Sequence, residues 1–168
     1  AQVMQLPDTD KPLEGKSALV LGAGGAAKAI AYGLVHRGAK VFVTARSLAK
    51  ATFFADKLKC TLVPWAQRHS GKCDVLINCT PVGMHPNVYE TPYEKHYLRP
   101  GTIVFDAVYN PENTLLIKGA RSRNCTVVTG VDMFVRQACL QFKLFTGQEG
   151  PAELMRDVIK RAIAAAKY

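Results

Sequence analysis

Six residues that follow an apolar run could bind phosphate groups: residues 22–27 read GAGGAA. They fit the pattern GxGxxA, in which Gly22 permits a sharp turn and Gly24, without a Cβ, lets the backbone approach a pyrophosphate. Ala27 is small enough for the next helix to pack closely on the preceding strand. The free N–H groups and the positive dipole at the start of that helix then favour phosphate. Because the turn stands between an apolar run and a helical pattern, it predicts a dinucleotide site rather than a turn that binds nothing.

The end of the second apolar run indicates which dinucleotide would bind. Enzymes that use NAD normally place Asp or Glu here to bind the ribose 2′-hydroxyl, but residues 41–54 contain no acid. The sequence offers Arg46, the hydroxyls of Thr44 and Ser47, and Lys50 about one helical turn further on. A guanidinium binds phosphate through two N–H groups, whereas a carboxylate would repel it by about 4 kcal/mol per charge pair at ~4 Å and an effective dielectric of ~20. These residues predict NADP(H), against the alternative of a solvated Arg/Lys pair at a helix start.

The apolar pattern along the chain indicates the elements that position these residues. Short apolar runs without polar alternation predict strands over residues 16–21, 40–44, 61–63, 74–78, 102–106 and 125–129. Longer amphipathic stretches predict helices over residues 25–37, 47–59, 114–123, 131–145 and 151–166. Apolar strands separated by helices are typical of a parallel sheet covered on both faces. The sequence thus predicts an α/β Rossmann fold, a doubly wound parallel six-stranded sheet with ligands beyond the carboxyl ends of its strands.

One domain accounts for most of the 168 residues. Residues 1–15 are polar with two prolines, which predicts an extended lead-in. Residues 16–150 form the predicted Rossmann domain, and residues 151–168 a C-terminal amphipathic helix. The apolar side chains of that helix either face another lobe or pack on the sheet, and the sequence leaves both alternatives open.

Composition excludes several classes of protein. No apolar run reaches the ~18 residues of a membrane span, and the N-terminus has no secretory signal pattern. The five cysteines are widely spaced, with no CxxC or Cys/His cluster, so neither a metal site nor a disulfide framework is predicted. We therefore expect a soluble domain in the cytoplasm, or in a plastid if the source is a plant. The formal charge of +9 would suit a polyanion, but no nucleic-acid-binding motif accompanies it.

Five segments resemble the NADP-binding lobe of shikimate dehydrogenases. They read LGAGGAA at residues 21–27, ARSLAK at 45–50, NCTPVGM at 78–84, FDAVYNP at 105–111 and GVDMFVRQ at 130–137. The resemblance implies an oxidoreductase that reduces 3-dehydroshikimate to shikimate with NADPH in aromatic amino-acid biosynthesis. Some members of this family oxidise quinate instead, and plant-like members are fused to a 3-dehydroquinate dehydratase.

The resemblance also implies roles for individual residues toward the cofactor. The residues that would hold its pyrophosphate and nicotinamide half are Gly22, Ala23, Gly24, Gly25, Ala26, Thr80, Pro81, Val82, Gly130 and Met133. Residues 80–82 would run under the ribose on the nicotinamide side, and Gly130 and Met133 would pack around the nicotinamide. The family often has Asn where this chain has Ala45, so one side-chain contact at the adenosine half is missing.

Two further residues would face the substrate according to the resemblance. These are Tyr109 and Gln137, with Gln137 donating to a ring hydroxyl. From spacing alone, Gln137 would be the polar flank of a helix that also carries Phe134, Ala138 and Phe142.

The groups that handle the proton in this family are a Lys and an Asp of a separate substrate domain that precedes the glycine turn. Only 21 residues precede Gly22, and Asp8, Asp10 and Lys11 match none of the upstream motifs. We therefore expect a cofactor lobe whose N-terminal substrate domain and catalytic residues are absent. Such a lobe would bind NADP(H) and share its substrate with the missing domain, but would turn over little by itself.

Other functions compete with this one. A catalytically silent NADP-binding module would use the same residues, and so would the cofactor lobe of a quinate dehydrogenase. A methyltransferase would want an acid where Arg46 stands. Glutamyl-tRNA reductase has a similar cofactor lobe, but the segments at residues 78–84 and 130–137 favour the shikimate dehydrogenase pattern.

Overall fold

The computed structural model describes residues 10–165. Its six strands are β1 (Ser17–Leu21), β2 (Lys40–Thr44), β3 (Thr61–Leu62), β4 (Val75–Asn78), β5 (Ile103–Asp106) and β6 (Thr126–Val128). Its five α-helices are α1 (Gly25–His36), α2 (Leu48–Leu58), α3 (Leu115–Ser122), α4 (Gly130–Thr146) and α5 (Ala152–Ala165). Two short 3₁₀ helices, at Trp65–Gln67 and Lys95–Tyr97, lie in segments for which neither a helix nor a strand was predicted. Most of the predicted lead-in, including Asp8, lies outside the described residues.

The strands form one sheet in the order β3-β2-β1-β4-β5-β6, and every pair is parallel. This confirms the predicted six-stranded Rossmann fold. The order reverses between β1 and β4, and crevices at such a switch point are where doubly wound sheets bind their ligands.

Both faces of the sheet are buried, because alternate residues of the central strands point to opposite sides. Val20 and Ile77 belong to the cluster on the α1 side, with Ala27 and Ala31 of that helix. Leu21 and Leu76 belong to the other cluster, with Leu116 of α3 and Tyr93. Strand β4 is buried at all four of its residues, as its unbroken apolar sequence predicts.

Helix α4 begins one residue earlier than predicted because Thr129 caps it. The Thr129 hydroxyl accepts from the Asp132 N–H at 3.2 Å, and the Asp132 carboxylate accepts from the Thr129 N–H at 3.0 Å. This reciprocal capping box satisfies two N–H groups at the helix start. By contrast, the helix predicted from residue 47 begins at Leu48, and the side chain of Ser47, a candidate cap by its residue type, makes no capping bond.

Helix α5 packs on α4 and not on the sheet. Met155, Ile159 and Ile163 lie against Val131, Val135 and Cys139. Two ion pairs accompany this contact, Arg156 to Asp132 at 2.8 Å and Lys160 to Glu112 at 3.7 Å. Leu154 and Val158, on the other side of α5, are exposed. None of the helices among residues 10–165 has the length and apolar character needed to cross a bilayer.

Candidate functional site

The carboxyl ends of the strands bring the segments singled out in the sequence to one edge of the sheet. Leu21 is paired in register with Thr44 on one side and with Asn78 on the other. Asn78 is paired in turn with Asp106. The glycine turn, the end of β2, and the loops after β4 and β5 are therefore neighbours, although 85 positions separate the ends of β1 and β5 (106 − 21).

The glycine turn has the geometry of a backbone cradle. Gly22 has φ of +115°, and its N–H donates to the Thr44 carbonyl at 2.7 Å. A Cβ on Gly22 would lie 3.0 Å from the Cys79 carbonyl oxygen, so both conformation and space require glycine. Gly24 caps α1 with no side chain, and residues 24–26 are exposed. The first N–H groups of α1 are therefore open to an anion, as a pyrophosphate would require.

The tip of β2 is exposed and cationic. The side chains of Arg46, Ser47 and Lys50 are all exposed, at the N-terminal start of α2. Thr44 differs from the other residues predicted here, because it is fully buried and its hydroxyl has no hydrogen-bond partner among the described residues. Its hydroxyl therefore does not reach the surface of the site in this conformation, and its carbonyl instead fixes the glycine turn.

The ends of β4 and β5 hold a buried polar network. Asn78 Nδ2 donates to Asp106 Oδ1 at 2.9 Å, and Asn78 Oδ1 accepts from the Thr80 N–H at 2.9 Å and the Thr80 hydroxyl at 2.6 Å. Asp106 also accepts from the Val108 N–H at 3.0 Å and from the Thr114 hydroxyl at 2.6 Å. Burial raises the pKa of Asp106, and the hydrogen bonds from Thr114, Val108 and Asn78 oppose that rise. Burial and the nearby Asp106 raise the pKa of Cys79 to about 12, so this thiol stays protonated and is a poor nucleophile.

The start of α4 lies directly against the loop after β5. A Cβ on Gly130 would be 2.3 Å from the Val108 carbonyl oxygen, so only glycine allows this approach. Tyr109, on the same loop, has its ring 5.7 Å from that of Phe134, and both rings are partly exposed. Met133 is half-buried.

A groove of about 650 Å³ lies between α1 and α4 on one face of the sheet. Its floor is apolar and includes Ile77 and Phe105, and Met133 and Gln137 contribute to its wall. The described lining does not include the glycine turn or Arg46. The groove therefore reaches the predicted substrate side of the site but not its phosphate-binding side.

Sequence reasoning missed the part that Asn78, Asp106 and Thr114 play. The resemblance implied a structural role for the motif that contains Asp106, and Asn78 and Thr114 were given no individual role. Each of Asn78 and Asp106 is a polar residue that ends an apolar strand, and adjacent parallel strands bring such ends together. That pattern could have predicted their contact.

Models of two related families match the chain. The model described as shikimate/quinate 5-dehydrogenase matches residues 6–113, and that of the shikimate 5′-dehydrogenase C-terminal domain matches residues 130–160. Among curated relatives, the bifunctional chloroplastic 3-dehydroquinate dehydratase/shikimate dehydrogenase of Arabidopsis thaliana is 40% identical over 159 residues. That match covers 93% of this chain and 26% of the relative. The chain spans about half the length of the shikimate dehydrogenases it matches.

Solved structures show the same likeness. A shikimate dehydrogenase in complex with NADP⁺ superposes with a TM-score of 0.79 at 32% identity, over 89% of this chain and 55% of that one. A quinate dehydrogenase from Corynebacterium glutamicum in complex with NAD superposes with a TM-score of 0.78 at 32% identity, over 86% and 54%. The cofactors of these two neighbours, NADP⁺ and NAD, differ by the 2′-phosphate.

Proposed function

We propose, since the chain belongs to the shikimate and quinate dehydrogenase family, that it is the NADP(H)-binding lobe of a shikimate dehydrogenase. The observation that carries this proposal is the exposed cationic tip of β2, which contains no acid and stands beside the open N-terminus of α1. A 2′-phosphate needs the first feature, and a pyrophosphate needs the second. NADPH in such a lobe would supply a hydride to the carbonyl of 3-dehydroshikimate.

The lobe would bind the cofactor at two ends. At the adenosine end, Gly22 would form the turn and the N–H groups of residues 23–26 would bind the pyrophosphate, while Arg46, Ser47 and Lys50 would bind the 2′-phosphate and adenine. The buried Thr44 would contribute through its carbonyl bond to the glycine turn rather than through direct contact. Ala45 offers no polar side chain to the adenosine.

At the nicotinamide end, Thr80, Pro81 and Val82 would support the ribose, and Gly130 and Met133 would pack on the nicotinamide. Tyr109 and Gln137 would face the substrate and orient it for hydride transfer, which requires the reacting atoms to lie within ~3.5 Å. No residue of this chain is proposed as the general acid. A Lys and an Asp of a substrate domain, which would share the substrate with this lobe, would move the proton and contribute roughly 10²–10⁴-fold. A location in the cytoplasm, or in a plastid as the name of the Arabidopsis relative states for that protein, belongs to the same proposal.

The experiment that tests this function is Arg46→Asp, followed by titration calorimetry with NADPH and NADH. The unaltered chain should bind NADPH more tightly than NADH. The variant replaces attraction by repulsion at the 2′-phosphate, so NADPH affinity should fall about 10²-fold while NADH affinity changes less than about threefold. Arg37→Asp is the matched control, because Arg37 is exposed at the far end of α1, and it should leave both affinities unchanged.

Two outcomes would contradict the proposal. One is equal affinity of the unaltered chain for NADH and NADPH, and the other is a preference that survives Arg46→Asp. Tighter binding of NADH would favour the second candidate, a lobe like that of the quinate dehydrogenase found with NAD. Shikimate oxidation, measured at the nicotinamide absorbance with a substrate domain added, separates an enzyme lobe from a silent module.

A further inference from the structure

We propose that the buried Asn78–Asp106 pair is a positioning element that fixes the loops after β4 and β5 relative to one another and so sets the nicotinamide end of the site. The inference rests on the proposed function, because it assigns these residues a role in holding that end ready for the cofactor. It adds two residues and their partner Thr114, none of which contacts the cofactor in the proposed arrangement.

Asn78 connects the sheet to the loop after β4. It is fully buried, and its carboxamide oxygen accepts two hydrogen bonds from Thr80. Its Nδ2 donates to Asp106 at 2.9 Å and also to the Val82 carbonyl at 3.4 Å. The Asn78 side chain therefore hydrogen-bonds to both Thr80 and Val82, the first and last of the three residues proposed to support the ribose.

Asp106 connects the same carboxamide to the loop after β5. One of its oxygens accepts from both Asn78 Nδ2 and the Val108 N–H, and the other accepts from Thr114, which caps α3. Gly130 in turn lies against the carbonyl of Val108, at the start of the helix that carries Met133. A displacement of Asp106 would therefore move the Tyr109 loop and the start of α4 together.

The composition of the network favours positioning over stability. Among the described residues, all the hydrogen-bond donors to Asp106 are neutral groups. A buried carboxylate without a cation is costly, and apolar residues of similar volume often give equal or greater stability. A fully satisfied buried polar network does fix one arrangement of the groups it joins. Here those groups are the two loops of the nicotinamide end.

The test separates the two halves of the cofactor by using adenosine 2′,5′-bisphosphate, which lacks the nicotinamide half, alongside NADPH. Asp106→Asn keeps the size of the side chain but removes its charge and gives one oxygen position a donor. We expect NADPH affinity to fall about tenfold, the equivalent of one charge-assisted hydrogen bond. The affinity for adenosine 2′,5′-bisphosphate should stay within about twofold, because the adenosine end is unchanged.

Asp74→Asn is the matched control. The Asp74 carboxylate also joins two neighbouring strands, because it accepts from the Ser17 N–H and hydroxyl at 2.8 and 2.9 Å. This contact lies at the amino-terminal ends of β1 and β4, away from the proposed site. This variant should leave the ratio of the two affinities unchanged. A merely structural role for Asp106 would make Asp106→Asn behave like Asp74→Asn.

A second pair of variants decides the question even if Asp106→Asn fails to fold. Thr114→Val removes the hydroxyl that donates to Asp106, and Thr114→Ser retains it. NADPH affinity should fall about threefold in the first and recover in the second. Equal NADPH affinity in Thr114→Val and Thr114→Ser would overturn the inference. So would an Asp106→Asn variant that loses affinity for NADPH and for adenosine 2′,5′-bisphosphate by the same factor. Failure of the unaltered chain to bind adenosine 2′,5′-bisphosphate would instead overturn the proposed function.

Discussion

The two ends of the proposed cofactor site are built in different ways. At the adenosine end, the side chains of Arg46, Ser47 and Lys50 are exposed, and Ser47 makes no capping bond. At the nicotinamide end, Asn78 and Asp106 are fully buried and every polar atom named in their network has a partner. One end therefore presents flexible charged side chains to solvent, whereas the other is a fixed network within the protein.

This difference teaches where each kind of precision is needed. A phosphate carries a large charge, and long cationic side chains can reach it in several conformations. Such side chains therefore need little preorganisation. Hydride transfer depends on distance and angle, and misplacement by ~1 Å can cost about 10² in rate. A buried network suits the second requirement.

The largest expected effect comes from replacing a glycine by alanine, once at the nicotinamide end and once at the adenosine end of the site. Gly130→Ala would place a Cβ 2.3 Å from the Val108 carbonyl oxygen and 2.8 Å from that of Ala107, so the backbone would have to shift, and should lower the free energy of unfolding by about 3 kcal/mol or more. Gly24→Ala meets nothing within 4 Å and should change the free energy of unfolding by less than about 0.5 kcal/mol. Urea unfolding followed by circular dichroism measures both. Equal losses would show that the nicotinamide end is no more tightly packed than the adenosine end.

An intermediate effect on the free energy of unfolding is expected when the residue that precedes a helix is replaced by alanine at each end of the site. Thr129→Ala removes the hydroxyl that accepts from the Asp132 N–H in the capping box of α4, while the backbone N–H of residue 129 can still donate to Asp132, and should lower the free energy of unfolding by about 1–2 kcal/mol. Ser47→Ala removes a hydroxyl that makes no capping bond, so its effect should stay below about 0.5 kcal/mol. The same urea titrations apply. A larger loss for Ser47→Ala would contradict the contrast between the ends.

The smallest effect is a pH dependence that only the nicotinamide end should have. Burial alone would raise the pKa of Asp132, but hydrogen bonds from Thr129 and Arg156 outweigh burial and hold the pKa below the ordinary value of an Asp carboxyl. A carboxyl whose pKa is lowered by folding contributes stability above its unfolded pKa and loses it as the pH falls through its folded pKa. Asp132→Asn should therefore lower the free energy of unfolding by up to about 1 kcal/mol at pH 7, and this difference should shrink as the pH falls below the ordinary pKa of an Asp carboxyl.

The matched variant for this pH dependence is Arg156→Gln, which removes the cation beside Asp132. This variant should move the acid-induced loss of stability toward higher pH, because the Asp132 carboxyl loses the cation that favours its ionised form. The adenosine end has no acid over residues 41–54, so no such transition is expected there. A difference between Asp132→Asn and the unaltered chain that grows on acidification would contradict the assignment.

Much of the fold followed from local sequence pattern. The strands β1, β2 and β4 were predicted within one residue at each end, because unbroken apolar runs between turns leave few alternatives. The start of α4 was predicted one residue late, since Thr129 and Asp132 form a capping box that apolar periodicity does not register. The packing of α5 was left open between another lobe and the sheet, because an apolar stripe does not specify its partner. Its actual partner is α4.

The site divides in the same way. The amino-acid sequence by itself determined the adenosine end, since the GAGGAA turn and the cationic residues after β2 are local features whose chemistry depends on residue type and spacing. Only the tertiary structure decided the nicotinamide end, because Asn78, Asp106 and Gly130 acquire their roles from neighbours far away in the chain. It also decided that Thr44, predicted beside Arg46, lies beneath the surface. The physical reason is that burial and hydrogen-bond partners are set by which strand ends become adjacent when the sheet forms.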